Sequence, residues 1–177
     1  ERFAARIDAY MRKAAREAKL RTSWASPDEE YEAAIGQFVA RVLDPTQSRP
    51  FLESVFAFVE LIAPAGAVNG LAQTLLKLTC PGVPDIYQGT ELWDFSLVDP
   101  DNRRPVDYAL RDRVLRCEDA RNTVAGFRNS WRDGRIKQHV IKRALALRAR
   151  HPMLFAAGGY RPLATDGAEG LRVVSFV

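Results

Sequence analysis

Gln88, Glu91, Asp99, Asp101, Asn102, Arg103 and Arg104 are crowded into one stretch, "QGTELWDFSLVDPDNRR". Carboxylates, carboxamides and guanidinium forks are the planar groups that pair with hydroxyls, and the fork of an arginine suits bidentate contacts. Tyr87 and Trp93 add aromatic faces of the kind that cover the C–H surface of a sugar. The set suits recognition of a hydroxyl-rich ligand. A plainer reading stands beside it: Asp99, Asp101, Asn102, Arg103 and Arg104 knit a long loop together, since Asp-Pro-Asp-Asn is a good turn by itself. In the first reading Tyr87 and Gln88 face the pocket and Glu91 binds hydroxyls or orients a neighbour. Arg103 or Arg104 bridges the ligand, and the other arginine clamps the loop. Trp93 either stacks on a sugar or packs beneath the loop.

The flanking elements set where that stretch must sit. Pro81-Gly82 stops a helix. Val83-Pro84-Asp85-Ile86-Tyr87 is short, β-branched and bounded by Pro and Gly, so it reads as a buried strand with Ile86 on the sheet. Asp107 is placed to cap a helix over about 108–120. Helix, strand, polar loop and helix make one unit of a parallel α/β barrel or open sheet. In a barrel, ligands bind on the loops at the strands' C-terminal ends, which is where 88–104 falls.

The rest of the chain reads as helix until its last part. Phe3, Ile7, Tyr10, Ala14 and Ala18 give one apolar face, predicting a helix to about Leu20. Ser26-Pro27-Asp28-Glu29 reads as a helix start with Ser26 as cap, Pro27 in the first helical position and Glu29 reaching back. Asp44-Pro45 ends that helix. A third helix is expected over 51–62 and a fourth over 67–78, parted by Pro64 and Gly66. Asp133-Gly134 precedes a helix over 135–150, which Pro152 closes. Residues 160–163 and 171–177 read as strands about a turn at Asp166-Gly167. The chain opens inside a helical pattern and stops inside a strand pattern, so a longer natural protein is expected.

With 47% hydrophobic and 27% charged residues in 177, the chain should bury a core. No apolar run is read as long enough to span a bilayer, and no signal segment opens the chain. The net charge of +4 raises the question of an acidic partner. However, Arg12, Lys13, Arg16, Lys19 and Arg21 share a helix with Asp8 and Glu17, and the later basic residues are spread through another helix. Solvated helix faces explain them better than a phosphate-binding stripe, so neither nucleic acid nor membrane is expected as a partner. Cys80 and Cys117 form no CxxC pair and read as reduced thiols in a cytoplasmic protein. His139 and His151 have no ligand-like neighbours, so neither a metal nor a cofactor is expected. Trp24 reads first as packing and second as a distal sugar subsite, and Trp131 as helix packing.

"PGVPDIYQGTELWDFSLVDPDNRRPVDY" resembles the strand-8 region of the α-amylase superfamily, and in its extended wording the maltooligosyltrehalose synthase family. "MRKAAREAKLRTSW", "PDEEYE", "LAQTLLKLT", "DGRIKQHVIKRALALRARHP" and "GGYRPL" resemble the same family in the same order, so the resemblance covers essentially the whole chain.

The resemblance implies a mainly α piece: the C-terminal part of a (β/α)8 barrel enzyme with inserted helices, plus the first strands of a C-terminal β domain. Residues 1–80 would be helical insertion and late-barrel helices. Residues 81–151 would hold barrel strand 8, the substrate loop and following helices, and 152–177 the truncated start of the β domain. It further implies an intramolecular transglucosylation that turns the reducing-end α-1,4 linkage of a maltooligosaccharide into an α,α-1,1 end. The trehalose-releasing hydrolase would be a possible partner. The family's catalytic carboxylates lie on earlier strands, so no catalytic residue is assigned here, and the isolated chain is expected to be inactive. Another α-glucan hydrolase or glucosidase, or a non-catalytic helical binding module, are the alternatives.

Overall fold

The computed structural model describes residues 2–116, 126 and 129–177. The described chain is mainly helical and divides into two compact units. One holds residues 1–65 and 95–105, and the other holds 66–94 and 106–177.

In the first unit, α1 (Arg2–Ala18) packs on α2 (Glu29–Val42). The two are pinned by a carboxylate. Glu32 is 3% exposed. It accepts from Arg16 Nε at 2.7 Å and Nη2 at 2.6 Å, and from Thr22 Oγ1 at 2.6 Å. Thr22 Oγ1 in turn accepts from the Asp28 N–H at 3.0 Å, which ties down the connector. A buried charge persists only when it is paired and hydrogen-bonded, and this one is. The basic face of α1 is therefore only partly a solvated surface: Arg12 pairs with Asp8 and Lys13 with Glu17, while Arg16 turns to α2.

The Arg16 guanidinium, and next the Thr22 hydroxyl, hold the Glu32 carboxyl at about 2, below its ordinary 4.5. A depressed folded value means that the unfolded chain takes up the proton first. The stabilisation is then complete above about pH 4.5 and is lost as pH falls toward 2. Glu32→Gln should lower the melting temperature at pH 7 and flatten its dependence on pH across that window. Thermal melts of the two proteins from pH 7 down to pH 2 check this, and parallel curves would contradict it.

Several boundaries differ from the sequence expectation. α1 ends at Ala18, and Lys19 takes a left-handed φ of 56°. The cap of α2 is Asp28, not Ser26; its Oδ1 accepts from the Tyr31 N–H at 2.9 Å. Ser26 is used in a turn, where its carbonyl accepts from the Ser23 N–H at 3.1 Å. Pro27 consequently lies outside the helix.

The expected third and fourth helices are one helix, α3 (Arg49–Thr79), with Pro64 inside it. Proline costs one backbone hydrogen bond there, and the helix continues through it. Joined in this way, α3 is long and apolar enough, by length and composition, to cross a membrane. That corrects the expectation that no apolar run reaches this length.

The second unit contains the rest of α3, then α4 (Tyr108–Arg116), α5 (Arg135–Arg150) and α6 (Pro152–Ala157). Its core is Leu78, Ile141 and Ala144, with Ile86 packed against them. The last carbonyls of a helix have no partner within it. Here Arg148 supplies one, donating from Nη1 to Leu78 O at 3.0 Å and to Cys80 O at 3.2 Å, and from Nη2 to Gly82 O. The same guanidinium lies 4.5 Å from the centre of the Phe155 ring. Cys80 is half-buried and free. Cys117 and the 117–120 end of the expected helix after Asp107 lie outside the described residues.

Among the described residues there is no strand. Val83–Tyr87, expected as a strand, forms no strand here, with Val83 98% exposed; a strand needs a neighbour to hydrogen-bond. Ile86 is partly buried, as expected, but against helices rather than on a sheet. The expected strands at 160–163 and 171–177 pair in a short antiparallel bridge about Pro162 and Phe176, where the Arg161 and Val177 N–H groups donate to each other's carbonyls at 2.9 and 3.0 Å and the Leu163 N–H donates to Ser175 O at 2.9 Å. Leu171 and Arg172, read as the start of a strand, lie in the 3-10 turn Gly170–Arg172. Pro152, expected only to close α5, opens α6 from its first turn, where its missing N–H is not needed.

Candidate functional site

The expected site residues fall in both units, so each group is described within its own. In the second unit, Tyr87 is 53% exposed. Exposed Gln88 accepts from the Tyr108 hydroxyl through Oε1 at 2.8 Å. Glu91 is braced instead: Arg111 Nε donates to its Oε2 at 3.1 Å. The same arginine donates to Gly89 O, and its Nη1 to Asp107 O at 3.0 Å. Arg111 thus ties the start of the loop to the cap of α4, and sequence reasoning missed it. Its place in the first turn after Asp107 was the available signal.

Trp93 packs against the start of α5 and the turn before it. Its Nε1 donates to Trp131 O at 2.6 Å, and Lys137 Nζ lies 5.9 Å from its ring centre. Burial, and next the Lys77 charge, push the Lys137 ammonium below its usual range. Gly134 makes the fit possible. It takes φ +79°, and a Cβ there would stand 2.7 Å from the Trp93 backbone nitrogen. Gly134→Ala would meet both penalties. The left-handed backbone alone costs about 1–2 kcal/mol, and the close contact adds to it. A fall in thermal stability with a shifted tryptophan emission is the expected result, and an unchanged melt would contradict this packing.

In the first unit, the 95–105 loop lies on α1. Asp101 is its anchor. Arg6 Nε and Nη2 donate to the two carboxylate oxygens at 2.9 and 2.8 Å, and the Leu97 N–H donates to Oδ2 at 2.6 Å. Arg6, and next the Leu97 amide, hold the Asp101 carboxyl at about 2, below its ordinary 3.8. Lys13 Nζ donates to Asp99 O at 2.6 Å. Arg6, Tyr10, Lys13, Val98, Asp99 and Asp101 line a cleft of about 340 Å³ between helix and loop. Arg6 and Lys13 were also missed, since nothing in local spacing links α1 to a turn more than eighty residues later.

The two arginines separate cleanly. Arg104 Nε donates to Asp101 O at 2.9 Å and Nη2 to Ser96 Oγ at 3.0 Å, so Arg104 is the loop clamp. The Arg103 side chain is 73% exposed and pairs with Asp99. Asn102 is exposed beside it, in the 3-10 turn Asp101–Arg103. Asp101, Arg104, Glu91 and Trp93 knit structure, while Tyr87, Gln88, Asn102 and Arg103 keep polar or aromatic surface exposed.

Elsewhere, Trp24 is 58% exposed, with the Arg16 guanidinium 4.8 Å from its ring centre. Trp131 lies under Arg132 at 4.6 Å. Burial, and next Arg143 and Lys142, lower the His139 pKa. Among the described residues no three His, Cys, Asp or Glu side chains come together as a metal cluster.

No family model matches the chain. The protein assigned as maltooligosyl trehalose synthase in Mycobacterium tuberculosis (strains CDC 1551 / Oshkosh and H37Rv) is 39% identical over 171 residues. That match takes in 97% of this chain and 20% of the relative. A crystal structure of a maltooligosyl trehalose synthase superposes with a TM-score of 0.88 at 34% identity, covering 100% of this chain and 23% of the other. The maltooligosyltrehalose synthase from Arthrobacter ramosus gives a TM-score of 0.76 at 39% identity, over 98% of this chain and 22% of the other. Along nearly its whole length, then, the chain is homologous to a segment of the maltooligosyl trehalose synthases, and it spans about a fifth of the curated relatives it matches.

Proposed function

We propose that the chain is the C-terminal part of a maltooligosyltrehalose synthase and forms part of the wall of its sugar site. In that reaction the bond joining the reducing-end glucose through its O4 breaks. The released glucose turns within the site, and the same maltooligosyl carbon is rejoined through the anomeric oxygen. No water enters or leaves the balance. The wall must therefore hold a free sugar and keep water out, or hydrolysis takes over.

One observation carries the reading. The match spans 171 residues and so takes in the polar loop, where Arg104 is spent on the loop while Arg103 keeps an exposed fork. Val83–Tyr87, which forms no strand here, is read as strand 8 of the barrel, paired only within a complete synthase. The exposed apolar length of α3 is read as covered by the rest of such a protein rather than by lipid. The substrate is a maltooligosaccharide, the setting cytoplasmic, and the hydrolase that releases trehalose a partner in sequence; the reaction needs no cofactor.

The experiment is product analysis of a complete synthase carrying this segment, incubated with maltopentaose. Loss of reducing ends without release of glucose is the expected result. A gain of reducing sugar would make the protein a hydrolase and end this reading.

A further inference from the structure

The exposed guanidinium of Arg103 depends on a residue far from it in sequence. Arg6, on α1, grips both ends of one turn. Its Nε and Nη2 hold the Asp101 carboxylate, and Nη2 also donates to Phe95 O at 2.9 Å. Within that grip the chain closes on itself, with the Asp101 N–H donating to Val98 O at 3.1 Å and the Arg103 N–H to Pro100 O at 3.0 Å. On the other side, the Asp101 carbonyl accepts from Arg104. The path Arg6–Asp101–Arg104 leaves Asn102 and Arg103 as the residues between two fixed points. We infer that Arg6 is a positioning residue for Arg103: it sets the turn that presents one arginine and retains the other. The inference rests on the proposed sugar-contacting role of Arg103.

A lysine at position 6 would keep the charge beside Asp101. It could not meet both carboxylate oxygens and the Phe95 carbonyl in one plane, because an ammonium is a point charge without a fork. Arg6→Lys therefore separates charge compensation from placement.

The test is a double-mutant cycle in a complete synthase carrying this segment, made from Arg6→Lys and Arg103→Lys. The measurements are kcat and KM on maltopentaose, and Tm. Residues that act through one another give non-additive effects, and independent ones add. Arg6→Lys should lower kcat/KM roughly tenfold beside Arg103 and less than about twofold beside Lys at that position. Equal factors in both backgrounds would overturn the inference and leave Arg6 a purely structural residue, with the role of Arg103 intact. An Arg103→Lys variant with unchanged kcat/KM would instead remove the role of Arg103, and the inference with it. Should Arg6→Lys fail to fold, Asp101→Asn breaks the same grip from its other end and should show the same coupling.

Discussion

Incubated with maltopentaose, the 177-residue chain alone is expected to leave the number of reducing ends unchanged. A retaining reaction needs a nucleophilic carboxylate and a carboxylic acid about 5–5.5 Å apart. Three of the four loop carboxylates, Glu91, Asp99 and Asp101, are already committed. Glu91 is paired with Arg111, Asp99 with Arg103, and Asp101 is held by Arg6 and the Leu97 amide. Asp101 is driven toward the ionised form, the opposite of what a general acid requires. Removing a catalytic unit costs several orders of magnitude in rate because its members act together. The expected difference from a complete synthase is therefore total within the reach of a reducing-end assay. Steady loss of reducing ends, abolished by Glu91→Gln or Asp101→Asn, would make this loop an active centre and overturn the account.

The second large effect separates the two adjacent arginines. In a complete synthase, Arg103→Lys should reduce turnover on maltopentaose roughly ten- to a hundredfold, since a charge-assisted hydrogen bond is worth about 1.5–3 kcal/mol. It should barely move the melting temperature, because the Arg103 side chain is 73% exposed and pairs only within its own loop. Arg104→Lys should do the reverse. It loses the contacts to Asp101 O and Ser96 Oγ, so stability falls and turnover falls with it only as far as the loop loosens. Turnover and Tm measured for both variants decide the matter. Full activity in Arg103→Lys would remove the site role given to this residue.

How far the sequence foretold this arrangement depended on the range of the interactions. α5 follows from local pattern, with a glycine before it and an apolar period within it, and its bounds agree with expectation. The Asp107 cap is local too, and its Oδ1 accepts from the Leu110 N–H at 2.8 Å. α3 was divided wrongly because a proline is a strong local signal, yet losing one hydrogen bond does not end a helix of 31 residues. The 83–87 segment has the composition of a strand, but pairing is supplied by other chain segments and cannot form in isolation. Within the loop, residue types marked the polar groups, yet they could not say which of them are spent on holding the fold. That sorting depends on Arg6, Lys13 and Arg111, whose partners lie 95, 86 and 20 residues away in sequence. Arg103 and Arg104 are told apart by contacts inside the loop itself, Asp99 for the one and Asp101 O and Ser96 for the other, which residue types alone do not assign.

The most direct measurement of the central claim is a segment exchange. The matching fifth of a maltooligosyl trehalose synthase is replaced by this chain, and the products from maltopentaose are separated and identified. The account predicts a non-reducing, trehalose-ended product of unchanged chain length. A folded chimera that released only glucose and shorter maltooligosaccharides would show that this chain does not build a synthase wall, and would contradict the account.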